Sequence, residues 1–126
     1  MEKKHLVFVY GTLRQNHSNH HLLRDAYYHG IGHTCEKYTM YIKAGYPFVT
    51  SIEASYPITG ELYAVDDDTL LTLDKIEGHP RYYTRREITV NVERVEYTAW
   101  MYFRDPQGKL MSTGDYNDAQ QKDVVD

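Results

Sequence analysis

A run of five apolar or aromatic residues, Leu6 to Tyr10, breaks off at Gly11 and gives way to Thr12, Leu13, Arg14 and a polar cluster from Gln15 to His21. An uninterrupted apolar run of this kind suits a strand covered on both faces. The glycine that ends it opens a turn whose backbone N–H groups have no ladder partner, and such a turn can hold an anion or a carboxylate. A plain strand, turn and helix without a ligand fits the same residues, and a lone Gly-Thr turn does not choose between the two.

The length, 126 residues, sets the expectation of one domain spanning residues 1–126. A chain of this size buries roughly two thirds of its unfolded surface, enough for one core. Net charge is −4, with no basic excess, which argues against nucleic acid as the main partner. Cys35 is the only cysteine, so there is no internal disulfide and no multi-cysteine zinc site, and a cytoplasmic location is expected. The apolar run behind Lys3 and Lys4 is too short for a membrane span. Tyrosine, with 13 copies against three of phenylalanine, dominates the aromatics, as suits half-wet β-surfaces and the walls of polar pockets.

Strand signals dominate the rest of the chain. Asn16 or Ser18 is expected to cap a helix running to about Tyr27, with Leu22, Leu23 and Ala26 as its core face and Gly30 and Gly32 as its end. Thr34 to Lys43 and Ile58 to Val65 read as strands. Asp66, Asp67 and Asp68 open a second helix, which Gly78 and Pro80 stop. Thr84 to Val92 and Val95 to Phe103 read as a hairpin. The tail from Gly114 is polar and is expected to pack loosely. The pattern is α+β, with more strand than helix and a partly closed sheet.

One carboxylate on the second helix is out of place. At 3.6 residues per turn Glu77 falls within about 20° of Leu70, on the apolar stripe, and Asp74 lies on the same side. An ionised glutamate facing a core is costly, and the helix C-terminus disfavours negative charge. Both effects raise its pKa, and a raised carboxylate in a cleft suits general acid/base chemistry. Rotation of the helix end, with Glu77 paired at the surface to Arg81, Arg85 or Arg86, fits the periodicity equally well.

Taken in order, Val9-Tyr10-Gly11-Thr12-Leu13-Arg14, Asn19, Tyr46-Pro47, Gly60-Glu61-Leu62-Tyr63, Leu73-Asp74-Lys75-Ile76-Glu77-Gly78, Tyr83-Thr84-Arg85 and Gly114-Asp115 resemble the gamma-glutamylcyclotransferase-like family, which includes the gamma-glutamylamine cyclotransferases and AIG2-like proteins. The resemblance covers nearly the whole chain. It implies a small mixed β-barrel with flanking helices and a pocket at one end. It also implies cofactor-independent cyclisation of a γ-glutamyl amine or γ-glutamyl amino acid to 5-oxoproline, with release of the attached amine. Glu77 matches the catalytic glutamate. Tyr10, Gly11, Thr12 and Leu13 match the substrate-binding loop, whose N–H groups would hold the substrate's α-carboxylate, and Tyr83 matches a tyrosine beside the pocket. No metal and no organic cofactor are implied, and the partner is a small γ-glutamyl molecule. A binding protein of the same fold that holds a carboxylated metabolite without turning it over is the alternative. The resemblance requires Glu77 and the Gly11–Leu13 amides to face one cavity. Where the family often carries a glycine just after the loop motif, this chain has Gln15-Asn16.

Other candidates are weaker. His17 and His21 have the spacing of metal ligands on a helix face, alongside His20, but solvated histidines explain them better. His79 reads as a loop histidine near Glu77, Arg85 as half of a structural ion pair, and Cys35 as a small buried apolar group in a strand.

Overall fold

Phe8 packs to one side of strand β1 (His5–Val9), while Val7 and Val9 pack to the other, so the opening apolar run is covered on both faces as its composition requires. The structure, a computed structural model, describes residues 2–122. The strands β2 (Tyr27–Thr34), β5 (Thr59–Val65), β6 (Thr84–Val92) and β7 (Val95–Phe103) join β1 in a closed barrel of order β1-β5-β2-β6-β7. The closing pair, β1 with β7, is parallel, and the others are antiparallel. A second sheet, in the order β4-β3-β8, is built from β3 (Thr39–Lys43), β4 (Tyr46–Thr50) and β8 (Lys109–Leu110). The α+β class and the mixed barrel with flanking helices match the expectation.

Two apolar clusters hold these layers together. One gathers Phe8, Leu62, Val90 and Met101 from four barrel strands with Met40 and Val49 from the small sheet. The other lies where helix α1 (Asp67–Glu77) covers the barrel, with Leu70 and Leu73 set against Val7, Val9, Tyr63 and Tyr102. The ends of α1 follow the sequence signals. The Asp66 carboxylate accepts a hydrogen bond from the Thr69 N–H at 2.8 Å, and Gly78 terminates the helix in the left-handed conformation at φ 68°. The β6–β7 hairpin turns through Glu93 and Arg94, both at positive φ, as a two-residue turn between twisted strands demands.

Four expectations are corrected. The first helix does not form: after Asn19 there is only a single 3₁₀ turn, His20–Leu23, and Tyr27, Gly30 and Gly32 belong to β2. Side chains and backbone groups of the polar cluster bond locally to one another, and this competes with a helical ladder. Thr34 to Lys43 is not one strand: Thr34 ends β2, and β3 starts at Thr39. Cys35 lies between those strands in a bend and is exposed. The tail is not loose over its described part. Gly114 sits so close to Pro57 that a Cβ there would lie 2.1 Å from the Pro57 carbonyl oxygen. Tyr116 and Ala119 of helix α2 (Tyr116–Lys122) are buried in the first cluster.

Candidate active site

Tyr10, Gly11, Thr12, Leu13, Glu77 and Tyr83 line one cavity of ≈ 250 Å³ between the end of β1 and the end of α1. These are the six residues singled out from the sequence, and the cavity brings all of them together.

The turn after β1 is shaped from several sides. The Arg14 N–H donates to the Gly11 carbonyl at 3.0 Å. Asn19 clamps Thr12 twice, with its backbone N–H on the Thr12 carbonyl at 2.9 Å and its side-chain amide on the Thr12 hydroxyl at 3.0 Å. The backbone N–H groups of Gly11, Thr12 and Leu13 have no acceptor among the described residues. They are the donors that a carboxylate would use. Gly11 is dictated by a close approach, since a Cβ there would meet the Pro47 ring at 2.7 Å. The departure at Gln15-Asn16 is accommodated because Asn16 itself takes the positive φ, 71°, which asparagine tolerates better than other side chains.

Beneath the turn lies a network that sequence reading did not foresee. Arg14 and Glu61 are each 3% exposed. The Arg14 Nε donates to Glu61 at 3.2 Å, and its Nη1 donates to Asp115 at 2.8 Å. The second Glu61 oxygen accepts from the Gln15 N–H at 2.9 Å and the Tyr63 hydroxyl at 2.8 Å. A buried ion pair persists only when its remaining bonding capacity is used, and here the network ties the turn to β5 and to the docked tail. The signal lay in Gly60-Glu61-Leu62-Tyr63, where a glutamate interrupts an otherwise apolar strand.

Glu77 is mostly buried; its backbone carbonyl accepts from the Tyr83 N–H at 3.2 Å, but its carboxylate has neither a hydrogen-bond nor an ion-pair partner among the described residues. Burial raises its pKa to about 7. Surface pairing with Arg81, Arg85 or Arg86 does not occur. Arg85 pairs instead with Asp74, through two bonds of 2.8 and 3.1 Å, and stacks on Trp100 with its guanidinium 4.3 Å from the ring centroid. Burial alone would lift the Asp74 carboxyl, but hydrogen bonds from Arg85 and Tyr102 hold it below the usual range.

Tyrosines form the polar walls. The Tyr83 hydroxyl donates to the Pro47 carbonyl at 3.0 Å and makes no hydrogen bond to Glu77. The Tyr10 hydroxyl donates to the Tyr102 carbonyl at 2.8 Å. Burial raises the pKa of Tyr10, Tyr83 and Tyr102, and the neighbouring Glu77 adds to the rise, so all three are neutral donors. Tyr102 and Arg104 also line the cavity and were missed from sequence, because they sit at the end of a strand pattern that reads as structural.

The histidines do other work. His17 and His21 share no helix face. His17 contacts the Asn117 amide oxygen at 2.8 Å, His20 the Leu13 carbonyl at 3.0 Å, and His21 the Ser18 carbonyl at 3.2 Å. No helix among the described residues is long and apolar enough to cross a membrane.

Comparison with known proteins places this geometry in context. The family described as "Gamma-glutamyl cyclotransferase, AIG2-like" matches residues 7–118. "Putative gamma-glutamylcyclotransferase MJ1514" of Methanocaldococcus jannaschii is 42% identical over 115 residues, covering 89% of this chain and 95% of that protein. Human gamma-glutamylaminecyclotransferase is 37% identical over 95 residues, covering 69% of this chain and 62% of its own. The crystal structure of a mouse AIG2-like protein superposes with a TM-score of 0.75 at 27% identity, covering 82% of this chain and 79% of that one. The fold extends to a Pyrococcus horikoshii protein, with a TM-score of 0.75 at 23% identity over 97% of this chain and 98% of that one. The chain belongs to the gamma-glutamyl cyclotransferase, AIG2-like family of enzymes.

Proposed function

We propose that the protein cyclises a γ-glutamyl amine or γ-glutamyl amino acid to 5-oxoproline, with Glu77 as general base and then general acid. The observation that carries this reading is the unpaired Glu77 carboxylate, raised to about 7, in the same cavity as the unused N–H groups of Gly11 to Leu13. Those N–H groups hold the substrate's α-carboxylate and thereby place its α-ammonium towards Glu77.

The Glu77 carboxylate takes a proton from the α-ammonium. The freed amine nitrogen forms a bond to the γ-carbonyl carbon, giving a five-membered tetrahedral intermediate. Protonated Glu77 then gives its proton to the leaving nitrogen as the original C–N bond breaks. The proton shed by the ring nitrogen returns through the same carboxylate to the released amine, which departs as an ammonium ion. The attack is intramolecular, so the protein's main task is to fold the substrate and position it. A carboxylate whose pKa lies near the working pH exchanges protons in both directions at little cost, and such acid/base help supplies about 10²–10⁴-fold. Neutral Tyr10, Tyr83 and Tyr102 keep the wall free of a second negative charge beside Glu77.

The test is release of 5-oxoproline from a panel of γ-glutamyl amines and γ-glutamyl amino acids incubated with the protein. Turnover of at least one is expected. Thermal stabilisation by 5-oxoproline without turnover of any compound would favour a non-catalytic carboxylate-binding protein.

A further inference from the structure

A second cavity, of ≈ 510 Å³, shares Arg104 with the first. Its walls bring Arg81, Arg86 and Arg104 together with Ser51, Tyr82 and Asp105. None of the three arginines is in an ion pair among the described residues. Three arginines and one aspartate therefore line one groove, on a chain whose net charge is −4. Clustering of cations against the overall charge focuses a local positive field.

The arginines are held in ways that leave donors available. The Arg104 guanidinium lies over Phe48, 5.0 Å from the ring centroid, and 5.5 Å from the centroids of Tyr82 and Tyr83. Stacking uses the faces of the guanidinium, and although Arg104 also reaches the Tyr83 hydroxyl, most of its in-plane N–H groups remain for a ligand. Arg86 lies 4.4 Å from the centroid of Phe103 and donates to the Ser51 hydroxyl. Arg104 is the shared wall: Glu77 and the Gly11–Leu13 turn line the cavity on one side, and the arginine groove lies on the other.

Given the cyclisation described above, on which this inference rests, the α-carboxylate end of the substrate occupies the turn, and the leaving amine must extend away from it. We propose that the arginine groove is the leaving-group subsite, and that it selects γ-glutamyl substrates whose leaving amine carries carboxylates, as an acidic amino acid does. Arg104 meets the carboxylate nearer the scissile bond, and Arg81 and Arg86 meet the farther one. Carboxylates take bidentate, charge-assisted bonds from arginine, and a cationic leaving amine is repelled by the same field.

Binding measured without turnover separates this proposal from the catalytic one. Glu77→Gln protein is titrated calorimetrically with γ-glutamylglutamate, γ-glutamylalanine and γ-glutamylbutylamine, which carry two, one and no carboxylates on the leaving amine. Affinity is expected to fall along that series, by about tenfold or more from first to last, since each missing carboxylate forfeits its charge-assisted bonds to arginine. Adding Arg104→Gln removes most of the preference. Because Arg104 packs on three rings, the exposed pair Arg81→Gln/Arg86→Gln is the second variant, and it abolishes the advantage of γ-glutamylglutamate over γ-glutamylalanine. Equal affinity for all three ligands, binding of none, or a preference that survives both variants would overturn the subsite. Failure of the wild-type protein to release 5-oxoproline from any of the three, with the binding preference intact, would instead count against the catalytic reading alone.

Discussion

Asp74 and Glu77 lie three residues apart on α1, and their carboxylates have opposite surroundings. Asp74 accepts two bonds from Arg85 and one from the Tyr102 hydroxyl at 2.7 Å and is held below the usual carboxylate range. The Glu77 carboxylate has no partner among the described residues and is raised to about 7 by burial. A pair of carboxyl groups driven apart by environment assigns roles: the low one is structural and the high one is available for proton transfer. Arg85 is thus used up by Asp74, which keeps a cation away from Glu77 and preserves its raised pKa.

The proposed role of Glu77 sets a pH dependence. Glu77 must be ionised to act as a base, so kcat/KM is expected to fall with one-proton dependence as pH drops through about 7. Asp74→Asn frees the Arg85 guanidinium beside the site and shifts this limb to lower pH. Steady-state rates across the pH range check both statements.

Stability carries the same signature. The folded state holds the Glu77 proton more tightly than the unfolded chain, at about 7 against 4.5. The stability this proton gives is present below the unfolded value and lost as pH rises through the folded one. Glu77→Gln is therefore expected to match the wild type at about pH 4 and to exceed it at about pH 8 by on the order of 3 kcal/mol. Urea denaturation at the two pH values measures this.

The turn can be tested by crowding it. In Gly11→Ala the added Cβ conflicts with the Pro47 ring and must displace either the turn or β4. Misplacement of the N–H groups proposed to hold the α-carboxylate is expected to lower kcat/KM by about 10²-fold. Circular dichroism and the melting temperature should show the barrel intact.

The network under the turn is expected to cost more to break than to remove. Arg14→Met leaves Glu61 buried without its cation and should destabilise the protein by about 3–5 kcal/mol. The double change Arg14→Met/Glu61→Gln should recover part of that loss. Chemical denaturation of the single and double variants gives the coupling.

The legible parts of this chain were those where short-range chemistry decides the outcome. Asp66 and Gly78 mark the ends of α1 because capping is local. The hairpin from Thr84 to Phe103 reads directly because its strands are long and its turn is short. Glu77 stood out because two helical turns set it on the face of Leu70. The segment from Asn16 to Tyr27 was misread because its polar side chains bond to nearby backbone and to distant Asn117 instead of letting a helix form. The tail was misread because its hold on the barrel is non-local: the Thr59 N–H donates to the Gly114 carbonyl at 2.9 Å, and the Tyr116 hydroxyl donates to the Gly45 carbonyl. Arg104 and Arg14 were passed over for the same reason, since their neighbours come from sequence positions far away.

The most direct test compares 5-oxoproline release by the wild-type protein and by Glu77→Gln, using a γ-glutamyl amino acid that the wild type turns over. The account predicts that the variant remains folded, still binds the substrate, and loses about 10²–10⁴-fold in kcat. A folded Glu77→Gln protein that releases 5-oxoproline at the wild-type rate would contradict the assignment of Glu77 as the proton-transfer group.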